Sequence, residues 1–112
     1  MNKVIFSGLG NAPTLRMRPY SERLGFAEEI GFDIDRFNLK VGSYIDSGNY
    51  SAARGDLDFF VSKTMARLRV AAKYGVIHPR DFLPLAKDLT CRVSEMRDEI
   101  KHAQRTDLVI LA

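Results

Sequence analysis

Lys63 and Arg67 stand four residues apart, Arg69 and Lys73 repeat that interval, and Arg97, Lys101 and Arg105 follow at i, i+4 and i+8. On a helix, such spacing sends each row out from a single face. Rows of ammonium and guanidinium groups suit phosphates arrayed along a nucleic-acid backbone, where each contact releases condensed counterions. Arg16, Arg18 and Arg23 form a further basic group nearer the start of the chain. The competing reading is an ordinary solvated surface, with Asp88, Glu95, Asp98 and Glu99 available to balance the cations.

Catalytic chemistry has thinner support. The stretch RDEIKH, Arg97 to His102, resembles the short signature of HEPN-type ribonucleases, which are also small helical bundles. That likeness implies a histidine acting as acid or base and an arginine holding the scissile phosphate. The aromatic residue usual two places after the histidine is absent, and Gln104 stands there. His78, beside Pro79, reads as a helix-capping residue. The GLGN stretch at Gly8–Asn11 lacks the third glycine and the acidic partner of a nucleotide-binding loop. Residues 1–16, MNKVIFSGLGNAPTLR, are similar to the first strand of bacterial single-stranded DNA-binding proteins, but no succession of strands follows.

The chain has 112 residues, which suits one domain. Its hydrophobic content of 46% and charged content of 28% are those of a globular protein. The net charge of +3 is unevenly spread, since residues 1–53 balance to zero and residues 54–112 carry the excess. That asymmetry points to an anionic partner for the second half. A single cysteine, Cys91, excludes an internal disulfide, and no Cys/His grouping suggests a metal. No cofactor is expected. The opening apolar run is too brief for a signal peptide and no segment is apolar enough to span a bilayer, so a cytoplasmic setting is expected.

These cations need helices to position them, and the apolar periodicity supplies three. Residues 1–20, interrupted by Gly8, Gly10, Pro13 and Pro19, are expected to form an extended arm before a helical domain at 21–112. Ser21 is a suitable N-cap for a helix over about 21–46, with a possible kink at Gly31. Its apolar stripe is Ala27, Ile30, Ile34, Phe37, Val41 and Tyr44. A second helix begins near Ser51, with Leu57, Val61, Met65, Leu68 and Ala72 on its stripe and Phe60 and Ala71 beside it. Gly75 then stands where a left-handed residue closes a helix, and Pro79 stands where a first turn tolerates proline. The flanking helices should therefore fold back antiparallel. The last stripe, Phe82, Leu85, Leu89, Val93, Met96, Ile100 and Ala103, gives a helix from Pro79 to about Gln104, roughly 39 Å long. Pro84 is expected to bend it, and the closing DLVILA reads as strand-like.

From Ser21 onward the chain resembles the four-helix-bundle group that contains Avd accessory proteins of diversity-generating retroelements and the rRNA intervening-sequence proteins. The residues that carry the likeness are SERLGFAEEIG, SGNYSAARGDL and ARLRVAAKYGVIHPRDFLPLAKDL. The likeness departs at RVSEMRDEIKH, where many Avd-like proteins carry a Gly-rich, Trp-containing segment. It implies an all-α antiparallel bundle of four-helix type, without enzymatic activity, assembled as a cyclic homo-oligomer such as a pentamer. It also implies nucleic-acid binding, to RNA or single-stranded DNA, and association with a reverse transcriptase. The expected phosphate contacts are Lys63, Arg67, Arg69, Lys73, Arg80, Lys87 and Arg97. The alternatives are a small protein-interaction regulator or phage-encoded inhibitor, and the HEPN-like ribonuclease.

Overall fold

Apolar side chains at alternating intervals of three and four can leave water only by meeting the stripes of neighbouring helices. In a computed structural model that describes residues 20–111, they do so in a three-helix bundle. Helix α1 spans Tyr20–Asp46, α2 spans Tyr50–Lys73 and α3 spans Pro79–Leu111. No strand occurs among the described residues. Expectations placed on residues 1–19, the arm and its glycines, lie outside them.

The core is one cluster drawn from all three stripes. Ile30, Ile34 and Val41 come from α1, Leu57 and Leu68 from α2, and Leu89, Val93, Met96 and Ile100 from α3; each of them is at most 2% exposed. Burying a side chain of this size contributes about 1.5–3 kcal/mol, so this cluster outweighs everything on the surface. Phe37 and Phe60 stack across α1 and α2 with ring centroids 4.4 Å apart. Thr64 is buried within the α2 stripe, at a position apolar periodicity alone does not mark.

Two glycine turns set the topology. Gly48 (φ 73°) and Gly75 (φ 74°) adopt the left-handed conformation that a β-carbon disfavours, the latter where the sequence leads one to expect it. After Gly75 the chain drops Ile77 into the core. His78 then caps α3, its Nδ1 accepting from the Arg80 backbone N–H at 3.1 Å. With both turns this short, α1 and α3 run antiparallel to α2, and α2 and α3 share the longest interface.

Two boundaries differ from expectation, the start of α1 and the end of α3. Helix α1 begins at Tyr20 and runs unbroken past Gly31 to Asp46. Helix α3 contains Pro84 and continues through Leu111, so the apolar end expected to be strand-like is helical through residue 111. Helix propagation adds one hydrogen bond per residue once a turn exists, and that outweighs the β-preference of a short Val-Ile run. Beyond Gln104 there is little bundle left to meet, and Leu108, Val109 and Ile110 are exposed.

Leu68→Ala should cost about 2–5 kcal/mol by leaving a cavity among all three helices, measured by urea denaturation. A loss below 1 kcal/mol would mean Leu68 is not packed as described.

Candidate functional site

Because successive helical residues turn by about 100°, the interhelical contacts show which way each helix faces. On α2, Asp58 accepts from the Arg97 guanidinium of α3 at 2.6 Å, and Arg54 donates to Gln104 Oε1 at 2.7 Å. Tyr50 also donates to Asp107. These residues mark the α3 side of α2. Asp56, Phe60 and Arg67 mark its α1 side: Tyr44 and Lys40 of α1 reach Asp56, and Arg67 reaches Asp33. On α3, Arg97 faces α2, whereas Arg92 faces α1 through a 2.8 Å bond to Asp35.

On these bearings the seven sequence-nominated cations divide. Arg69 and Lys73 follow Asp58 by about three and four turns, and so share its side or the outer surface next to it. Arg80 and Lys87 belong to a line on α3, Arg80–Lys87–Ser94–Lys101, repeating every seven residues. That line adjoins Arg97 and Arg105 on the side of α3 toward α2. From Arg80 to Arg105 the row is about 37 Å long at ~1.5 Å per residue. All of these cations are exposed. Arg69, Arg80, Lys87, Lys101 and Arg105 make no ion pair among the described residues. Lys73 lies over the Tyr74 ring, 5.6 Å from its centroid.

Lys63 and Arg67 stand apart from that surface. Lys63 is exposed on the other shoulder of α2. Arg67 is only 34% exposed and is held by Asp33 at 2.7 Å and Glu29 at 3.5 Å, with its guanidinium over the Phe26 ring. It fastens α2 to α1. Arg97 keeps part of its surface free, at 49% exposure, while bonded to Asp58. Lys101 and Arg105 belong to the surface although the nominated set stopped at Arg97; their i+4 and i+8 spacing was the signal. Arg16 and Arg18 lie outside the described residues.

The acids follow their own line. Asp81, Asp88 and Glu95 also repeat at seven, one residue out of step with the cations, and so face the α1 side of α3. Asp88 and Glu95 act on Arg92, whose affinity for its proton is raised first by the hydrogen bond to Asp35 and then by these neighbours. No acidic residue interrupts the chain between Asp58 and Asp81, a stretch that holds Lys63, Arg67, Arg69, Lys73 and Arg80. Lys3, Arg16 and Arg18 precede residue 20, and every carboxylate of the chain follows it. The described residues are therefore charge-balanced, and it is placement that makes the α2–α3 side basic and the α1–α3 side acidic. Asp58, held by Arg97, Asp107, held by Tyr50, and Asp98 are carboxylates on the basic side.

Against models of known protein families, curated proteins and solved structures, the chain has no match. Function therefore rests on the residues themselves. Among the described residues, no group of His, Cys, Asp and Glu is arranged to hold a metal ion, and no described helix is long and apolar enough to cross a membrane. Arg97 and His102, five residues apart on one helix, leave it about 140° apart.

The Arg67 hydrogen bond, helped by Arg36 and outweighing the opposing effect of burial, holds the Asp33 carboxyl below its ordinary value of 3.8. A depressed carboxylate binds fewer protons folded than unfolded, so it stabilises the fold above about pH 5 and loses that contribution as pH falls through the folded pKa. Asp33→Asn should be less stable than the parent at pH 7 and lose less on acidification from pH 5 to pH 3, followed by thermal melting. Parallel losses would mean the Asp33–Arg67 pair contributes nothing to pH dependence.

Proposed function

We propose that this protein is a non-enzymatic, homo-oligomeric nucleic-acid-binding accessory protein that grips phosphates along the basic side formed by α2 and α3. The observation that carries this reading is the row of unpaired cations, Arg69, Arg80, Lys87, Lys101 and Arg105, extended by Lys73 and Arg97. A straight row about 37 Å long suits a polyanion, whereas a small anion needs only two or three converging groups. Single-stranded RNA or DNA is the preferred form, because a row of flexible side chains on a convex bundle has no element shaped to enter a duplex groove. Of the nominated residues, Lys63 and Arg67 drop out of the contact set, since one points elsewhere and the other is committed to Asp33 and Glu29.

The resemblance adds a setting to this chemistry: a cytoplasmic complex with the reverse transcriptase of a diversity-generating retroelement, and a ring such as a pentamer. It also adds the four-helix form of the bundle, with an extended arm ahead of it. These particulars rest on the resemblance alone. A second reading, a protein-interaction regulator, is favoured by the outward-facing Phe32, Leu39 and Phe59, each more than two-thirds exposed.

Binding to a fluorescent single-stranded RNA at low and at 200 mM salt tests the proposal. The affinity should fall steeply, by roughly 0.7 log units per log unit of salt for each phosphate contacted. Arg69→Glu/Lys87→Glu should weaken binding at least tenfold and flatten that slope, while Lys40→Glu on the opposite shoulder should change it little. Binding that is absent at low salt, indifferent to salt, or equally sensitive to Lys40→Glu would overturn the reading.

A further inference from the structure

On the outer surface of α1, Gly25, Phe32 and Leu39 recur every seven residues, with Phe32 68% and Leu39 75% exposed. They line a shallow hollow of about 650 Å³ whose flanks include Glu28, Glu29 and Asp35. On the outer surface of α2, Phe59, Ala66 and Lys73 also recur every seven, with Val70 between the last two. Phe59 is 69% and Val70 55% exposed. Ala66 and Val70 border a second hollow of about 520 Å³, shared with Phe26, Tyr74 and Lys63. A heptad-spaced apolar line is what a helix presents to another helix along a supercoiled seam, yet both lines face away from this chain's own core.

We infer that a second copy of this chain covers these faces, with the α2 stripe of one copy seated along the α1 stripe of the next. Two observations select that occupant. The flanks are complementary: Glu28 borders the α1 stripe, beside an Asp35 already held by Arg92, and Lys63 and Lys73 border the α2 stripe, so a contact between unlike faces sets Glu28 against lysines, whereas a contact between like faces would set like charges together. Arg36, on the remaining α1 flank, is already bonded to Asp33. The second observation is glycine. Gly25 on the α1 face and Gly55 on the α2 face would each meet nothing within 4 Å if given a β-carbon. Within the chain each costs its helix about 1 kcal/mol relative to alanine and gains no packing. Against a neighbouring helix, both allow close backbone approach.

The contact joins different surfaces, so each copy keeps one free face after pairing and assembly runs on until it closes into a ring or extends as a filament. It leaves the α2–α3 cation row at the edge of the seam, with Lys73 shared between the two. This inference gives surfaces to the homo-oligomeric part of the function proposed above and is independent of nucleic acid.

Light scattering coupled to size exclusion tests it with two surface variants of the full chain. The parent should run at several times 12.7 kDa. Phe32→Glu/Leu39→Glu, which spoils only the α1 face, and Phe59→Glu/Val70→Glu, which spoils only the α2 face, should each be monomeric with parental helicity by circular dichroism. Mixed one to one, they retain one good face of each kind and should give a dimer that grows no further. A monomeric parent at 100 μM, a mixture that stays monomeric, or assembly disturbed by only one of the two variants would overturn the inference. A parent that stays monomeric yet binds RNA with steep salt dependence sinks this inference and leaves the nucleic-acid reading standing, and a parent that assembles without binding RNA sinks the nucleic-acid reading alone.

Discussion

The antiparallel register of α2 against α3 decides what the surface of this bundle can do. Arg97 on Asp58 and Arg54 on Gln104 occupy successive levels of that interface. Sliding either helix by one turn would bring different cations to the carboxylates. These exposed polar contacts contribute about 0–1 kcal/mol each, far less than the buried leucines and isoleucines. Their weight lies in which cations they neutralise, the register itself being held by the buried stripes and the short turn at Gly75. With this register, Asp58 holds Arg97 and leaves Arg69, Lys87, Lys101 and Arg105 facing water.

A charge-balanced set of residues thereby acquires sided chemistry. The two seven-residue lines of α3, cations at Arg80, Lys87 and Lys101 and acids at Asp81, Asp88 and Glu95, lie one position out of step on a single helix. The step of about 100° between them turns the cations toward the flank marked by Arg97 on Asp58 and the acids toward the flank marked by Arg92 on Asp35. Each line therefore falls beside a different neighbour. On the acidic side Arg92 pairs with Asp35; on the basic side Asp58 takes Arg97 and leaves the other cations of the row without an ion pair among the described residues. The third side, along α1 and α2, exposes Phe32, Leu39, Phe59 and Val70. Three helices thus yield three sides of different character: basic, acidic and apolar.

Much of the fold was legible in the sequence because it depends on local spacing. The stripes on α1 and α3, the turn at Gly75 and the restart at Pro79 follow from intervals of three and four and from two residues with narrow backbone preferences. The end of α3 was not, since Leu108, Val109 and Ile110 are equally compatible with a strand when read alone. Thr64 was missed because polarity, not position, guided the reading. The site was legible only in part. Spacing revealed the basic rows but not which cations were already taken. Arg67 finds its partners 34 and 38 residues away on another helix, and no interval within α2 signals that. The exposed stripes of Phe32 and Phe59 were also invisible, because an apolar residue at helical spacing looks like core until the core is known to be full.

The most direct measurement is lysine acetylation, with and without a saturating single-stranded polynucleotide, read residue by residue by mass spectrometry. Protection should fall on Lys73, Lys87 and Lys101 and spare Lys40, which sits on the far shoulder beside Asp56. Equal protection of Lys40, or none of the other three protected by bound polynucleotide, would contradict the sided surface from which the rest follows.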